Sequence, residues 1–117
     1  MSSEIAMTLN LQEDSILLNE SVLTALEWPR QVQMLINQDA KMLLLRSCSI
    51  DDEWALVVPA DHTVSYEISG RSLLRQIRRL VGWEDNVPRL CYGEYLPTHQ
   101  AIRFDLTAAR PIVSPIQ

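Results

Sequence analysis

The sequence predicts an α+β fold in which two β-α-β-β repeats form a small barrel-like sheet with two covering helices. Short segments alternate apolar and polar residues with the period of a strand, and two segments carry apolar residues at helical spacing. The same order of segments occurs in residues 15–47 and again in residues 65–106. A length of 117 residues, of which 47% are hydrophobic, suits one domain spanning residues 1–117.

The first helix is predicted from its two ends. A strand is expected over residues 6–11, AMTLNL, and a second strand, SILL, leads into Asn19, a favourable N-cap residue. Apolar residues at helical spacing follow in SVLTALEW. The helix is expected to reach Trp28 and no further, because Pro29 disfavours helical geometry in the residue before it.

A hairpin is predicted after the first helix. The segment QVQMLIN, residues 31–37, alternates as a strand does, and residues 37–40 have the composition of a tight turn. Residues 41–45 are largely apolar. They therefore predict a returning strand that is covered on both faces.

The second repeat has the same plan with a longer helix. A strand is expected over residues 64–68 and a helix over residues 71–81, with Gly82 as its C-terminal stop. Residues 87–92 and 101–106 then predict a hairpin around the loop GEYLPTHQ.

Two tryptophans occupy equivalent places in the repeats. Val32 lies four residues after Trp28, and Val87 lies four residues after Trp83. This equivalence favours both tryptophans as core residues that end each helix, over a role as interface anchors.

These segments resemble the AbrB/MazE/MraZ swapped-hairpin family. The first copy resembles it through ILLN, the helix SVLTALEW and the strands QVQMLIN and KMLLLRS with Arg46, and the second through YEIS, SLLRQIRRLVGW and AIRFDL. The resemblance implies a SpoVT/AbrB-like barrel and a non-enzymatic DNA-binding transcriptional regulator or antitoxin-like module. Leu18 and Asn19 replace the usual isoleucine-proline, and Glu20 stands where the family is basic, which weighs against contact with DNA.

The second predicted helix carries four arginines on the face opposite its apolar residues. Their spacing of i, i+4, i+7 and i+8 aligns them along one side of the helix. Guanidinium groups there could contact phosphates, dock on an acidic protein surface, or remain solvated beside neighbouring acids. Three further basic residues are secondary candidates for DNA contact. The predicted nucleic-acid-binding residues are Arg71, Arg75, Arg78, Arg79, Arg30, Lys41 and Arg46.

The connector between the repeats predicts a different function. Its acidic run suits the start of a solvated helical turn, and a strand is expected over residues 56–58. The same acids could imitate phosphates and bind a nucleic-acid-binding protein. The alternative function is therefore a small acidic interaction protein or inhibitor, of a phage-encoded, anti-CRISPR-like kind, with an exposed tryptophan as anchor. Its predicted partner-binding residues are Asp51, Asp52, Glu53 and Trp54.

No motif in the chain specifies a reaction. P-loops, dinucleotide fingerprints, nucleophile elbows and zinc-protease motifs do not occur, so we expect no enzyme, no cofactor and no metal site. His62 and His99 are isolated, and the spacing of Cys48 and Cys91 predicts buried free thiols. A net charge of −5 and the lack of a signal-like or membrane-spanning segment predict a cytoplasmic protein with no membrane partner. The sequence leaves open whether the chain is a monomer or a homodimer paired through a strand edge.

Overall fold

The computed structural model of the chain describes residues 4–59 and 65–112. The strands in these ranges are β1 Ala6–Asn10, β2 Ser15–Asn19, β3 Gln31–Asn37, β4 Met42–Ser47, β5 Leu56–Val57, β6 Ser65–Ser69, β7 Arg89–Leu96, β8 Ala101–Asp105 and β9 Arg110–Pro111. The helices are α1 Glu20–Ala25 and α2 Arg71–Val81, and short 3₁₀ turns occupy Pro97–His99 and Leu106–Ala108.

The strands form one antiparallel sheet in the order β5-β3-β4-β8-β7-β1-β2-β6, and β9 pairs with β7. The twist between neighbouring strands accumulates across this order and curls the sheet into a half-barrel. The curl brings the two edge strands together. Their closeness is shown by a hydrogen bond of 2.7 Å, which the Tyr66 hydroxyl on β6 donates to the Val57 carbonyl on β5. The α+β class is therefore confirmed, as a compact domain with a curled sheet and two helices.

β7 carries the sheet around a bend at Gly93. Its first half pairs with β1 and its second half with β8. The Gly93 N–H donates to the Ile5 carbonyl at 2.8 Å. A Cβ atom at this position would lie 2.5 Å from Ile102 Cγ2 and 2.7 Å from Phe104 Cε1, both on fully buried side chains. Only glycine fits here without movement of its neighbours.

One core joins both helices to the sheet. Val22 and Leu23 of α1 are fully buried, and Leu74 and Ile77 of α2 expose no more than 1% of their surface. They belong to the same apolar cluster as the buried strand residues, the largest of which is Phe104. The apolar spacing seen in the sequence therefore produces the packed face of each helix.

α2 has its predicted bounds, whereas α1 is shorter than predicted. Gly82 ends α2 with a left-handed φ of 85°, as expected of a glycine in that position. After α1, Glu27 and Trp28 already have φ values of 61° and 49°. The Trp28 N–H donates to the Leu23 carbonyl at 2.8 Å, so the chain leaves the helix early to meet the geometry that Pro29 requires.

Two strand predictions need correction. β4 is not covered on both faces: Leu43 and Leu45 are buried, but Leu44 is only half-buried, because one face of the curled sheet packs on the core. The loop predicted as GEYLPTHQ is shorter, since β7 continues through Leu96 and the turn begins at Pro97. β7 extends to Leu96 because its last four residues form backbone hydrogen bonds with β8.

The order strand–helix–strand–strand occurs twice, as β2-α1-β3-β4 and as β6-α2-β7-β8. Internal duplication itself stays a prediction. The first strand of the second repeat was predicted over residues 64–68; Val64 lies outside the described residues, and β6 occupies the rest of that segment. No helix in the described ranges is long and apolar enough to span a membrane.

Candidate functional site

A seam runs between β5 and β6, the two edge strands of the sheet. Val58 donates its N–H to the Arg30 carbonyl at 2.9 Å, which makes these two residues a hydrogen-bonded pair. In the same register, the next hydrogen-bonded pair is Leu56 with Val32. Val57 lies between the two pairs, so its backbone N–H and C=O point away from β3 and into the seam.

The edge of β6 faces the seam in the same way. The Gly70 N–H donates to the Asp14 carbonyl at 2.8 Å. The regular register between β6 and β2 then makes Ile68 the next residue that is hydrogen-bonded to β2. Glu67 and Ser69 therefore direct their backbone N–H and C=O groups away from β2, toward the seam.

A mainly apolar groove of about 510 Å³ opens at one end of the seam. The other end is bridged by the Tyr66 hydroxyl, and burial raises the pKa of Tyr66 above its ordinary value. Ser69 and Arg71, on either side of the turn into α2, line one wall. The apolar lining of the groove comes from Met34, Trp54, Leu56, Ile68 and Leu73.

Trp54 stands at the rim of this groove with 83% of its surface exposed. Its turn is fixed by hydrogen bonds. The Ser49 N–H donates to Asp52 Oδ2 at 2.8 Å, the Asp52 N–H donates back to the Ser49 carbonyl at 3.0 Å, and Gln33 Nε2 donates to the Glu53 carbonyl at 2.7 Å. The tryptophan is therefore presented to solvent by an anchored backbone.

Gln33 holds this turn from below. Its side chain is buried on β3 and uses both of its polar atoms, since Oε1 accepts a hydrogen bond from Arg46 Nε at 2.8 Å while Nε2 reaches the Glu53 carbonyl. Arg46 was predicted to contact phosphates, but it is half-buried and points its guanidinium at Gln33. In the structure Arg46 supports the Trp54 turn.

Exposed carboxylates occur on the two segments that carry the walls of the groove. Asp51 and Glu53 are exposed on the connector, and Glu67 is exposed on the edge of β6. The acidic run forms one hydrogen-bonded turn, in which the Asp52 carboxylate accepts from the Ser49 N–H, and it does not continue as a helix. This side of the molecule therefore combines an apolar groove with a negative rim.

Two of the four arginines predicted along α2 are engaged within the protein. Arg71 Nε lies 3.3 Å from Asp14 Oδ2, although both side chains remain largely open to solvent. Arg78 is half-buried and donates to the side-chain oxygen of Asn86.

Arg75 and Arg79 are exposed, and among residues 4–59 and 65–112 neither has an ion-pair partner. With Gln38 from the β3–β4 turn they line a second groove of about 470 Å³. Lys41 is exposed in that same turn, but it does not line the groove. Such a group of cations can bind phosphates or carboxylates.

The remaining two predicted cations lie elsewhere. Arg30 precedes β3 and Arg46 is near the end of β4, whereas Lys41 is at the opposite end of this hairpin. The seven residues of β3 separate the two ends by roughly 20 Å. The structure therefore does not bring the seven predicted nucleic-acid-binding residues onto one surface. Arg75 and Arg79 line the second groove, whereas Arg71 lines the groove beside Trp54.

Arg89, which the sequence analysis did not identify, is the most enclosed cation in the described part of the chain. Its guanidinium carbon lies 4.5 Å from the centroid of the Trp83 ring, and Nη1 lies 2.8 Å from Asp85 Oδ1 and 2.7 Å from the Val87 carbonyl oxygen. The hydrogen bond from Arg89, followed by the one from the Val87 N–H, lowers the pKa of Asp85. The sequence did contain a signal for this cluster: Asp85 lies two residues after Trp83 and four residues before Arg89. Trp28 and Trp83 are half-buried and pack on the core, as predicted.

Both cysteines are free thiols. Cys91 is buried and its Sγ lies 3.4 Å from the Asp105 carbonyl oxygen; burial, with a smaller effect of the Asp105 charge, raises its pKa to about 12. Cys48 is half-buried, and burial raises its pKa as well. Protonated thiols are weak nucleophiles and poor metal ligands. Where the chain is described, no three His, Cys, Asp or Glu residues form a metal-binding group, and His62 lies outside that part.

Comparison with known protein families, with curated proteins and with solved structures found no match for this chain. Two surfaces thus remain as candidates for function. One is the acidic groove with Trp54 at its rim, and the other is the basic groove along α2.

Proposed function

We propose that this chain is a non-enzymatic interaction protein that docks through Trp54 and its acidic surroundings on a basic surface of another protein. The exposure of Trp54 on a hydrogen-bonded turn carries the proposal. An indole buries roughly 150–250 Å² when it is covered. At about 25 cal/mol per Å², covering this ring contributes several kcal/mol to binding.

The anchored backbone makes Trp54 a suitable binding residue. Three hydrogen bonds fix the turn before any partner arrives, so little ordering of the backbone opposes association. Tryptophan is among the residue types enriched at the energetic centres of interfaces. The exposed carboxylates of Asp51, Glu53 and Glu67 favour a positively charged partner and speed its approach.

The proposed partner is a nucleic-acid-binding protein, because such proteins present basic surfaces that are shaped for phosphates. By occupying that surface, this chain would compete with the nucleic acid. A phage-encoded, anti-CRISPR-like inhibitor is one form of this function.

The test compares capture by the wild-type protein, Trp54→Ala and Tyr92→Ala, followed by titration of each captured protein in purified form. Tyr92 is a matched control, since it is an exposed aromatic residue on β7, away from the groove. Trp54→Ala is expected to weaken binding by at least about 30-fold, and Tyr92→Ala by less than about threefold. A partner that binds the wild type and Trp54→Ala equally would refute the proposed site.

Binding to DNA is the second candidate function, and the exposed Arg75 and Arg79 support it. The test is a fluorescence-anisotropy titration with random duplex DNA at about 50 and 200 mM salt, where phosphate contacts give a steep loss of affinity. The double variant Arg75→Ala/Arg79→Ala should flatten the salt dependence, whereas Arg103→Ala, which removes an exposed arginine paired with Glu94, should not. Absence of binding at the lower salt concentration would retire this candidate.

With this second candidate function we also propose that the chain is a double repeat of the swapped-hairpin type, the fold whose resemblance implied DNA binding. Its support is the recurring order strand–helix–strand–strand, together with the pairing of equivalent strands: β2 pairs antiparallel with β6, and β4 pairs antiparallel with β8. Strands related by an internal two-fold axis pair in that way. A homodimer paired through a strand edge remains a prediction, and light scattering of the purified protein tests it.

A further inference from the structure

We propose that the groove at the seam binds an extended, basic segment of the partner protein, which adds a strand to the open edge of β6. The inference rests on the proposed function and specifies which kind of partner segment the Trp54 surface takes. Three features of the seam support it: backbone groups that have no partner among residues 4–59 and 65–112, an apolar groove, and exposed carboxylates on the segments beside it.

The backbone groups come first. Glu67 and Ser69 direct their N–H and C=O groups away from β2, as the Gly70 to Asp14 hydrogen bond and the register of β6 require. An extended segment can exchange hydrogen bonds with both residues, which together span about 7 Å of strand. Addition of a strand to an exposed sheet edge is a common mode of peptide recognition.

The seam stays open at this position because β5 is too short to close it. β5 has two residues, and the carbonyl that it directs into the seam, that of Val57, already accepts from the Tyr66 hydroxyl. Beyond that bridge the walls separate into the groove lined by Leu56, Ile68 and Trp54. Alternate side chains of an added strand would point into this apolar groove, where Trp54 would cover them.

The charges around the groove select the segment. Glu67 is exposed on the edge strand itself, and Asp51 and Glu53 are exposed beside Trp54. Arg71 is the one charged residue that lines the groove among the described residues, and it forms an ion pair with Asp14. Lysine or arginine at every second position, with apolar residues between them, matches both the rim and the groove. An acidic segment or a nucleic acid is repelled by the same rim.

The experiment selects a displayed library of random nine-residue peptides against the full-length protein. We expect the selected peptides to alternate basic residues with β-branched or aromatic ones. One selected peptide is then synthesised and titrated against the wild type, Trp54→Ala, Glu67→Lys and the control Tyr92→Ala. Trp54→Ala and Glu67→Lys should each weaken binding at least tenfold, whereas Tyr92→Ala should not. N-methylation of the peptide amides that face β6 should also weaken binding at least tenfold.

Hydrogen exchange identifies the site of pairing. The amide protons of Glu67 and Ser69 should exchange at least tenfold more slowly when the peptide is bound. Selected peptides without basic residues, or unchanged exchange at both amides, would overturn the inference, as would failure to select any peptide. The proposed function is judged separately, since a captured protein whose binding still depends on Trp54 would keep that function while the strand addition is abandoned.

Discussion

Two regions of this protein combine a tryptophan with charged residues, but only one of them pairs these groups within the protein. At the β7 corner, formed by Trp83, Asp85 and Arg89, the guanidinium lies over the indole and is paired with the carboxylate. At the seam, Trp54 is exposed among carboxylates, and no cation of the described residues stacks on it. The chain satisfies the first set of groups internally and leaves the second set for another molecule.

The difference arises from the strands that carry each region. β7 is paired on both sides, so Arg89 is held on a rigid strand directly after the loop that contains its partner Asp85. β5 has two residues and ends the sheet, and no part of the chain that the structure describes covers Trp54 in the turn before it. Substitutions at the β7 corner should therefore change stability, and substitutions at the seam should change binding.

The largest loss of stability is expected for Gly93→Ala, at the bend of β7. The added methyl group meets two fully buried side chains, those of Ile102 and Phe104, and overpacking of this kind costs about 2–3 kcal/mol. Urea denaturation measures the free energy of unfolding. Thr98→Ala, at an exposed position in the turn after β7, is the control and should change it by less than about 0.5 kcal/mol. Equal stabilities for the two variants would show that the bend yields without strain.

Arg89→Met should reduce the free energy of unfolding by about 2 kcal/mol, because it removes hydrogen bonds from a charged group and leaves the Val87 carbonyl unpaired. The methionine keeps most of the buried stem. Arg103→Met is the matched control, since its pair with Glu94 is exposed, and its effect should stay below about 0.5 kcal/mol. A similar effect of both substitutions would contradict the special role of the β7 corner.

A smaller, pH-dependent effect is expected for Asp85→Asn. Arg89 lowers the pKa of Asp85 in the folded protein below its unfolded value of about 3.9. The carboxylate therefore stabilises the fold above about pH 4, and this stabilisation disappears as the pH falls through the lowered pKa. The difference in unfolding free energy between the wild type and Asp85→Asn should shrink as the pH falls below about 4. In an Arg89→Met background the difference should already be small at neutral pH.

The smallest change in stability is expected for Trp54→Ala. Because the side chain is exposed, its removal should change the free energy of unfolding by less than about 0.5 kcal/mol, even though it should weaken partner binding at least about 30-fold. Trp83→Ala is the contrasting variant and should cost about 2 kcal/mol or more, since that ring packs on the core. A large destabilisation by Trp54→Ala would remove the distinction between the two regions.

Local signals in the sequence predicted much of the fold. The bounds of α2 and β3 follow from apolar spacing, Gly82 and the turn after Asn37, all of which act within a few residues. The neighbours of each strand did not follow. β1 pairs with β7 as well as β2, and that choice depends on how the whole sheet curls.

The candidate site was predicted in part for the same reason. The exposed Trp54 and the adjoining acids were identified from the connector. The groove was not, because Met34, Ile68 and Leu73 are apolar residues in regular elements and resemble core residues in the sequence. The groove exists because β5 ends after two residues, and a predicted strand over residues 56–58 cannot reveal where pairing stops. Likewise, helical spacing aligned four arginines but could not show that Asp14 and Asn86 engage two of them.

The order of strands also determines how the chain can fold. Met7 lies opposite Cys91, and Met42 lies opposite Asp105, so β1 and β4 each have one neighbour in the first half of the chain and find their second neighbour only in the second half. A ribosome that adds about 5–20 residues per second would expose β1 and β4 for several seconds before β7 and β8 emerge. Such distant pairings also favour folding in milliseconds to seconds. The chain is therefore expected to fold as one cooperative unit after synthesis, with neither half stable alone.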